Sequence, residues 1–403
     1  MVKVALLVKG PSKASLTSAQ WITGRYLVTQ GRGEPIHAFI PDPLPPSRPA
    51  LALDGEFAAR NAEAIAAMAR LEVAGTMVPE ADWFLYGFVR KEAVITSQIE
   101  GTQATLQDVL NFEATKQSER PEDAQEVCNY IDALTYARGE MASPRGLPLT
   151  MRLIREAHKR LMRGVRGADK SPGEIRTSQN WIGGTRPGNA VYVPPPPDAV
   201  PEALLDLDRW MHGDDTLPPL VRAGLAHVQF ESIHPFLGGN GRIGRLLVAL
   251  LVEHWKLLSS PLLYLSLAFK RHQVEYYRRL TAVRTDGDWE GWTTYFLECV
   301  REAADDGVDT ARSLFTLLNQ DRQRLLRSKG VTIPAMRLFD ALPKQPIITV
   351  AGIMRRLKTT KPTAAKAIAA LEAAKILRET TGRQRDRVYA YQGYLRLLTG
   401  DKE

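Results

Sequence analysis

One dozen residues carry most of the chemistry: His234-Pro235-Phe236-Leu237-Gly238-Gly239-Asn240-Gly241-Arg242-Ile243-Gly244-Arg245. Glycines let the backbone take positive φ and approach a ligand closely. Successive amide N–H groups in such a turn form an anion-binding nest. The apolar run Leu246–Val252 that follows reads as a buried helix, so its N-terminus aims the positive end of its dipole at the nest. Arg242 and Arg245 share a face of the first turn, and arginine forks match phosphate oxygens. His234, at the lip, is the candidate general base for a hydroxyl attacking phosphorus. Asn240 can offer its amide to a phosphate oxygen while tolerating a left-handed backbone. A Walker P-loop is excluded, because the Gly-Lys-Ser/Thr ending is missing. The chemistry these residues predict is phosphoryl or nucleotidyl transfer, with His234, Asn240 and Arg242 as catalytic candidates.

The elements that position this loop are mostly helices. Periodic apolar residues predict helices over Leu53–Ala74, Asp82–Glu100 (marked by Phe84, Phe88, Ile95 and Ile99), Gln107–Ala114, Asp123–Ala142, Thr150–Met162, Pro201–His212 and Leu217–Ile233. After the loop, Pro261–Phe269, Arg271–Val283 and Trp289–Ala304 read as helices, and 308–328 as a connecting helix. Residues 1–50 read as mostly irregular, with prolines keeping Ile40–Ala50 extended. One interruption stands out. Gly173–Gly184 runs into Val191-Tyr192-Val193 and then Pro194–Pro197, which predicts a small hairpin whose edge is open to an extended peptide. Past a boundary near Lys329-Gly330, helices are expected at Ala335–Leu342, Val350–Leu357 and Pro362–Ile376, followed by a turn at Thr381-Gly382-Arg383 and a strand at Val388–Tyr391.

Charge divides the chain the same way. The stretch from Lys329 to Glu403 holds 15 of the 53 Lys/Arg but 6 of the 45 Asp/Glu, a net of +9 against +8 for the whole chain. A neutral body with a basic tail suggests nucleic acid as a partner of the tail; a solvated basic face is the alternative. Cys128 and Cys299 are the only cysteines in 403 residues, so neither a disulfide framework nor a cysteine zinc site is implied. The apolar run at Met1–Lys9 is too short to span a membrane, and a cytoplasmic protein without a membrane partner is expected.

The loop motif resembles the signature of the Fic family, His-x-Phe-x-(Asp/Glu)-Gly-Asn-Gly-Arg-x-x-Arg, with Gly238 where an acidic residue is usual. Thr96-Ser97-Gln98-Ile99-Glu100-Gly101 resembles the (Ser/Thr)-x-x-x-Glu-(Gly/Asn) inhibitory motif of self-restrained members. The resemblance covers about residues 22–300 and takes in Thr177–Gly184, Val191–Pro197 and Gly287-Asp288-Trp289-Glu290. It implies a protein adenylyltransferase that moves AMP from ATP to a Ser, Thr or Tyr hydroxyl of a target protein or of its own chain. It further implies nucleotide contacts from Gln229, the loop Pro235-Phe236-Leu237-Gly238-Gly239-Asn240-Gly241-Arg242, Arg245 and Tyr277. For Phe236 a core anchor, and for Tyr277 a packed tyrosine pair with Tyr276, are the alternative readings. Thr96, Glu100 and Gly101 would be inhibitory, with Glu100 paired to Arg245 in the place of the γ-phosphate. Val191, Tyr192 and Val193 would form the target-docking flap. Mg²⁺ would be only weakly held, since Gly238 supplies no carboxylate, and no protein metal ligand is assigned.

The order of elements after Lys329 resembles a winged helix-turn-helix domain, placing Lys361, Lys366, Arg383 and Arg385 at a possible DNA surface. The expected fold is therefore mainly α: a Fic-type helical core with a small β-hairpin flap, plus a C-terminal winged-helix domain. The divisions are an extended segment 1–50, a helical region with the inhibitory helix 51–115, a catalytic core with linker helix 116–328, and the domain 329–403. Two rival functions remain: transfer of UMP, phosphate or phosphocholine from the same site, and a DNA-binding regulator with a degenerate nucleotide-binding core.

Overall fold

The computed structural model describes residues 23–31, 33–47, 50–76, 81–328 and 330–400. The expectations for residues 1–20, and for the side chain of Phe84, lie outside these. The chain begins not as an irregular segment but as a hairpin, β1 (Gly24–Gly31) and β2 (Glu34–Pro41), antiparallel and in register Gly31↔Glu34. The sequence does carry the cause: Tyr26, Val28, Ile36, Ala38 and Ile40 alternate on either side of a turn in which Gly33 takes φ +83°. Phe39 and Ala38 of β2 are buried, while Leu27 and Val28 of β1 are exposed.

Helices then follow nearly as the periodicity predicts. They are α1 (Gly55–Thr76), α2 (Ala81–Ile99), α3 (Leu106–Thr115), α4 (Pro121–Ala142), α5 (Met151–Leu161), α6 (Val200–His212), α7 (Pro219–Ile233), α8 (Asn240–His254), α9 (Leu265–Arg271) and α10 (Gln273–Asp286). Every residue of α7 from Leu220 to Ile233 is buried. A helix covered on all sides is the centre of a bundle rather than one wall of it, and α8 packs beside it from the far end of the loop. The next helix corrects the expectation of two. α11 runs unbroken from Trp289 to Arg327, because Gly307 is not a break but a close approach, where an added Cβ would come 2.8 Å from Leu71 Cδ1 of α1.

Beyond it come α12 (Ile333–Ala341), β3 (Ile347–Thr349), α13 (Val350–Leu357), α14 (Lys361–Ala373), β4 (Arg378–Glu379), β5 (Val388–Ala390) and α15 (Gln392–Thr399). The three strands pair in the order β3-β5-β4, all antiparallel. Of these, β3 and β4 were not expected, being too short to show an alternation. This segment is docked, not tethered. Tyr391 Oη donates to buried Asp321 of α11 at 2.7 Å, and α15 lies so close on α2 that a Cβ at Gly87 would come 3.0 Å from both Leu398 methyls. No helix among the described residues is long and apolar enough to cross a membrane.

Candidate functional site

The loop between α7 and α8 is bent at both ends. His234 caps α7 in the left-handed region at φ +49°, and Gly239 opens α8 at φ +74°. A non-glycine residue there costs on the order of 1 kcal/mol and must be held by its surroundings. Arg176 does the holding: Nε donates to His234 O at 2.9 Å and Nη2 to Pro195 O at 2.5 Å, while its own N–H donates to Pro235 O at 3.0 Å. Asn180 Nδ2 donates to Phe236 O at 3.0 Å. Arg176 is 3% exposed, and burial pulls its guanidinium down to about 10.

Inside the loop, Asn240 differs from its expected use. Its Oδ1 accepts from Phe236 N at 2.9 Å and its Nδ2 donates to Phe236 O at 2.8 Å, so both ends of the amide close the turn. Phe236 is a buried anchor, its ring stacked 3.8 Å from that of His158. His158 in turn accepts from Gly173 N through Nδ1 at 2.8 Å. That assigns the proton to Nε2, which donates to Gly238 O at 2.9 Å. Burial keeps this imidazole neutral, holding it down to about 4.

The α8 N-terminus is already faced by a carboxylate. Arg245 Nη2 donates to Glu100 Oε1 at 2.7 Å and to Thr96 O at 3.0 Å, and Nε donates to Thr96 Oγ1 at 2.6 Å. Glu100 Oε1 rests on the bare Cα of Gly241, where a Cβ would lie 2.1 Å from it. Gly101, at φ +98°, turns the chain away after α2. Burial raises the Glu100 carboxyl, but Arg245, Arg242 and His234 outweigh it and hold it below the usual range. Burial opposes the charge on Arg245, and Glu100 more than restores it. Arg242 points elsewhere: Nη1 donates at 3.0 Å to Glu126, which Arg166 also approaches. Burial, the largest influence, lowers its guanidinium.

His234 sits beside this arrangement with 19% of its side chain exposed, and burial pushes it down to about 4. It is therefore a neutral imidazole at pH 7, competent to take a proton. Its Nδ1 has no hydrogen-bond partner among the described residues and lies 3.9 Å from Glu231 Oε2. Burial pushes the Glu231 carboxyl up to about 7.

The remaining expected residues scatter in role. Gln229 Nε2 donates to Asp42 O at 2.9 Å, anchoring the segment after β2. Tyr277 is half-buried on α10, its ring 5.2 Å from Tyr276. The flap is smaller than expected, a single bridge of Ile182 with Tyr192, and its edge is not fully open. Val191 N donates to Ile182 O at 2.9 Å, and Val193 O accepts from Phe39 N of β2 at 2.9 Å. Tyr192 is buried and donates to Ser232 O at 2.6 Å, which leaves Val191, Trp181 and Ile182 as the exposed apolar side chains. Lys361, Lys366, Arg383 and Arg385 are exposed and far along the chain from the loop.

Pro235–Gly239 offers no carboxylate, and no group of three or more His, Cys, Asp or Glu side chains gathers for a metal among the described residues. The donor set does not fit a protein-held Mg²⁺.

A mainly helical core, folded around a glycine-rich loop between two buried helices, is a Fic-type fold. Residues 148–252 match the Fic/DOC family and residues 58–138 match the Fic/DOC family N-terminal region. These two stretches carry the Fic/DOC family's domains. Among curated proteins it is similar to "Protein adenylyltransferase Fic" of Drosophila erecta, 25% identical over 212 residues, which are 51% of this chain and 39% of that one. The protein of the same name from Drosophila melanogaster is 24% identical over the same shares. The chain thus spans well under half the length of these relatives. Among solved structures, a Fic family protein from Desulfovibrio desulfuricans G20 shares the fold with a TM-score of 0.55 and 23% identity, over 85% of this chain and 97% of that one.

Proposed function

We propose that this chain is a self-inhibited protein adenylyltransferase. In the reaction, a Ser, Thr or Tyr hydroxyl of a target protein attacks the α-phosphorus of ATP and its proton passes to His234. The bond from that phosphorus to the bridging oxygen breaks, and pyrophosphate leaves. The α8 N-terminus and Arg245 receive the phosphates once Glu100 has moved aside. Arg242, released in part from Glu126, faces the departing pyrophosphate, and Asn240 and Arg176 keep the loop in shape. The target lies along Val191, Trp181 and Ile182, whose exposed apolar side chains flank His234's end of the loop.

The observation that carries this reading is a histidine held neutral beside a helix N-terminus whose arginine is occupied by a carboxylate. The names of the relatives support transfer of an adenylyl group in particular. Incubation of wild type, Glu100→Gly and Glu100→Gly/His234→Ala with α-labelled ATP tests it. Label on protein hydroxyls in the single variant and none in the double is the expected result; label in neither rules out adenylyl transfer. The exposed cations Lys361, Lys366, Arg383 and Arg385 support a second, separable role for the segment after residue 328 as a winged helix on DNA.

A further inference from the structure

The cations that touch the loop are unequally committed. Arg242 is neutralised by Glu126 at 3.0 Å and Arg245 by Glu100 at 2.7 Å. Arg176 spends its fork on backbone carbonyls. Lys170 has no ion pair among the described residues, is exposed, and lies against the position that lacks a carboxylate. A Cβ built on Gly238 would meet Lys170 Cδ at 3.6 Å and Met162 Cε at 3.8 Å as its nearest neighbours.

The stem of Lys170 does not reach this place by chance of a long side chain. Its Cδ also lies 3.6 Å from where a Cβ on Gly167 would be, so it is packed between Gly167 and Gly238. Lys170 N donates to Gly167 O at 2.9 Å, closing a turn. Three residues on, Gly173 is fastened twice, by Arg155 Nε to its carbonyl at 2.8 Å and by its own N–H to His158 Nδ1 at 2.8 Å. His158 passes the connection to Gly238 O at 2.9 Å. One imidazole thus fixes the segment after the Lys170 turn against the nest loop, and the ammonium is two bonds beyond a Cδ that packs on Gly238.

We propose that Lys170 is the phosphate-binding cation on the Gly238 side of the nest, a charge supplied by the chain itself where the loop has no carboxylate to hold a metal. Its ligand is the polyphosphate of a nucleotide, so the proposal rests on the nucleotide-binding reading given above. An ammonium is a compact charge with rotatable donors, suited to a phosphate oxygen whose position is set by other groups. A hydrogen bond to a charged group carries enough free energy to change affinity about ten- to a hundredfold.

The test is calorimetric titration of the full chain with ATP and with adenosine, each in EDTA and in Mg²⁺. Four proteins are compared: Glu100→Gly, and the same chain with Lys170→Gln, with Lys170→Arg or with Gly238→Asp. Lys170→Gln is expected to weaken ATP in EDTA about tenfold or more and leave adenosine unchanged, and Lys170→Arg to restore most of the loss. Gly238→Asp, whose Cβ has room, is expected to pair with Lys170, weaken ATP in EDTA and recover it in Mg²⁺. Equal ATP affinity of the Gln variant and its parent in EDTA overturns the role of Lys170 while the nucleotide site stands. No ATP binding by the Glu100→Gly parent overturns the nucleotide site itself, and Lys170's role with it.

Discussion

Replacing Glu100 with glycine removes one carboxylate from the nest and leaves everything else that holds Arg245. The arginine keeps both bonds to Thr96, at 2.6 and 3.0 Å, and loses only the 2.7 Å contact with Glu100. A charge-assisted hydrogen bond of this kind contributes about 1.5–3 kcal/mol. An ATP γ-phosphate that needs Arg245 must first displace that contact, so its removal is expected to tighten ATP about ten- to a hundredfold. Rate is expected to rise with it, because a carboxylate beside the triphosphate also shifts the attack line, and a displacement on the order of 1 Å costs about a hundredfold. The substitution also lowers stability. With 32% of the Glu100 side chain exposed, solvent screens the pair, and a loss of about 1–2 kcal/mol is expected rather than that of a fully buried pair. The sign with pH follows from the carboxyl lying below its ordinary 4.5 in the folded chain. Its contribution is complete above that pH and disappears as pH falls through the folded value, so the stability gap between wild type and variant closes in acid. The assay is titration of ATP with labelled-ATP self-modification alongside, on wild type, Glu100→Gly and Glu100→Gly/Arg245→Ala. Unchanged ATP affinity in the single variant refutes the reasoning. So does a double variant as active as the single, since Arg245 would then not be the group held back.

Three further outcomes are expected. Burial holds His234 down to about 4 with Glu100 opposing it, so in Glu100→Gly the imidazole is lower still and the transfer rate should stay level from pH 7 to pH 5; a fall centred near 6.5 would place the proton acceptor elsewhere. Arg176→Lys should lower kcat far more than ATP affinity, because one ammonium cannot serve the carbonyls of His234 and Pro195 together; an unchanged kcat would deny it the positioning of His234. Burial holds His158 and His234 down to about 4 and His227 to about 3, so the unfolded chain binds more protons below pH 6.5, and stability should drop from pH 7 to pH 5 by up to about 2 kcal/mol per histidine. Glu231 and Glu92, pushed up to about 7 by burial, act in the opposite sense, so the reading is thermal unfolding of wild type against His158→Gln at the two pH values; a stability gap that does not shrink from pH 7 to pH 5 would contradict it.

What could be read in advance was local. His234, the glycines, Arg242 and Arg245 lie within a dozen residues, and Thr96 and Glu100 one helical turn apart, so spacing alone groups them. The residues that hold the loop in shape are remote: Arg176 is 58 residues from the carbonyl it grips, His158 is 80 from Gly238, and Glu126 is 116 from Arg242. Nothing in a charge pattern separates a buried arginine spent on backbone carbonyls from one on the surface. Asn240 was legible as important but not as to why, because the same amide suits a phosphate or a turn. The β1–β2 hairpin was obscured by the prolines after it, although its alternation was present. The open flap edge was misjudged for the same reason, since β2 is what covers it.

The close packing of α15 on Gly87 gives α2 two masters. Its last turn presents Thr96, and the residue just past it Glu100, to the nest, while its middle is gripped by Leu398 of the C-terminal segment. A helix is stiff over this length, so a shift that lifts Glu100 out of the nest is felt at α15. By reciprocity, whatever partner stiffens or displaces α15 changes the cost of lifting Glu100 by the same free energy. The chain is in that sense a lever, with its brake at one end of the rod and a handle at its waist.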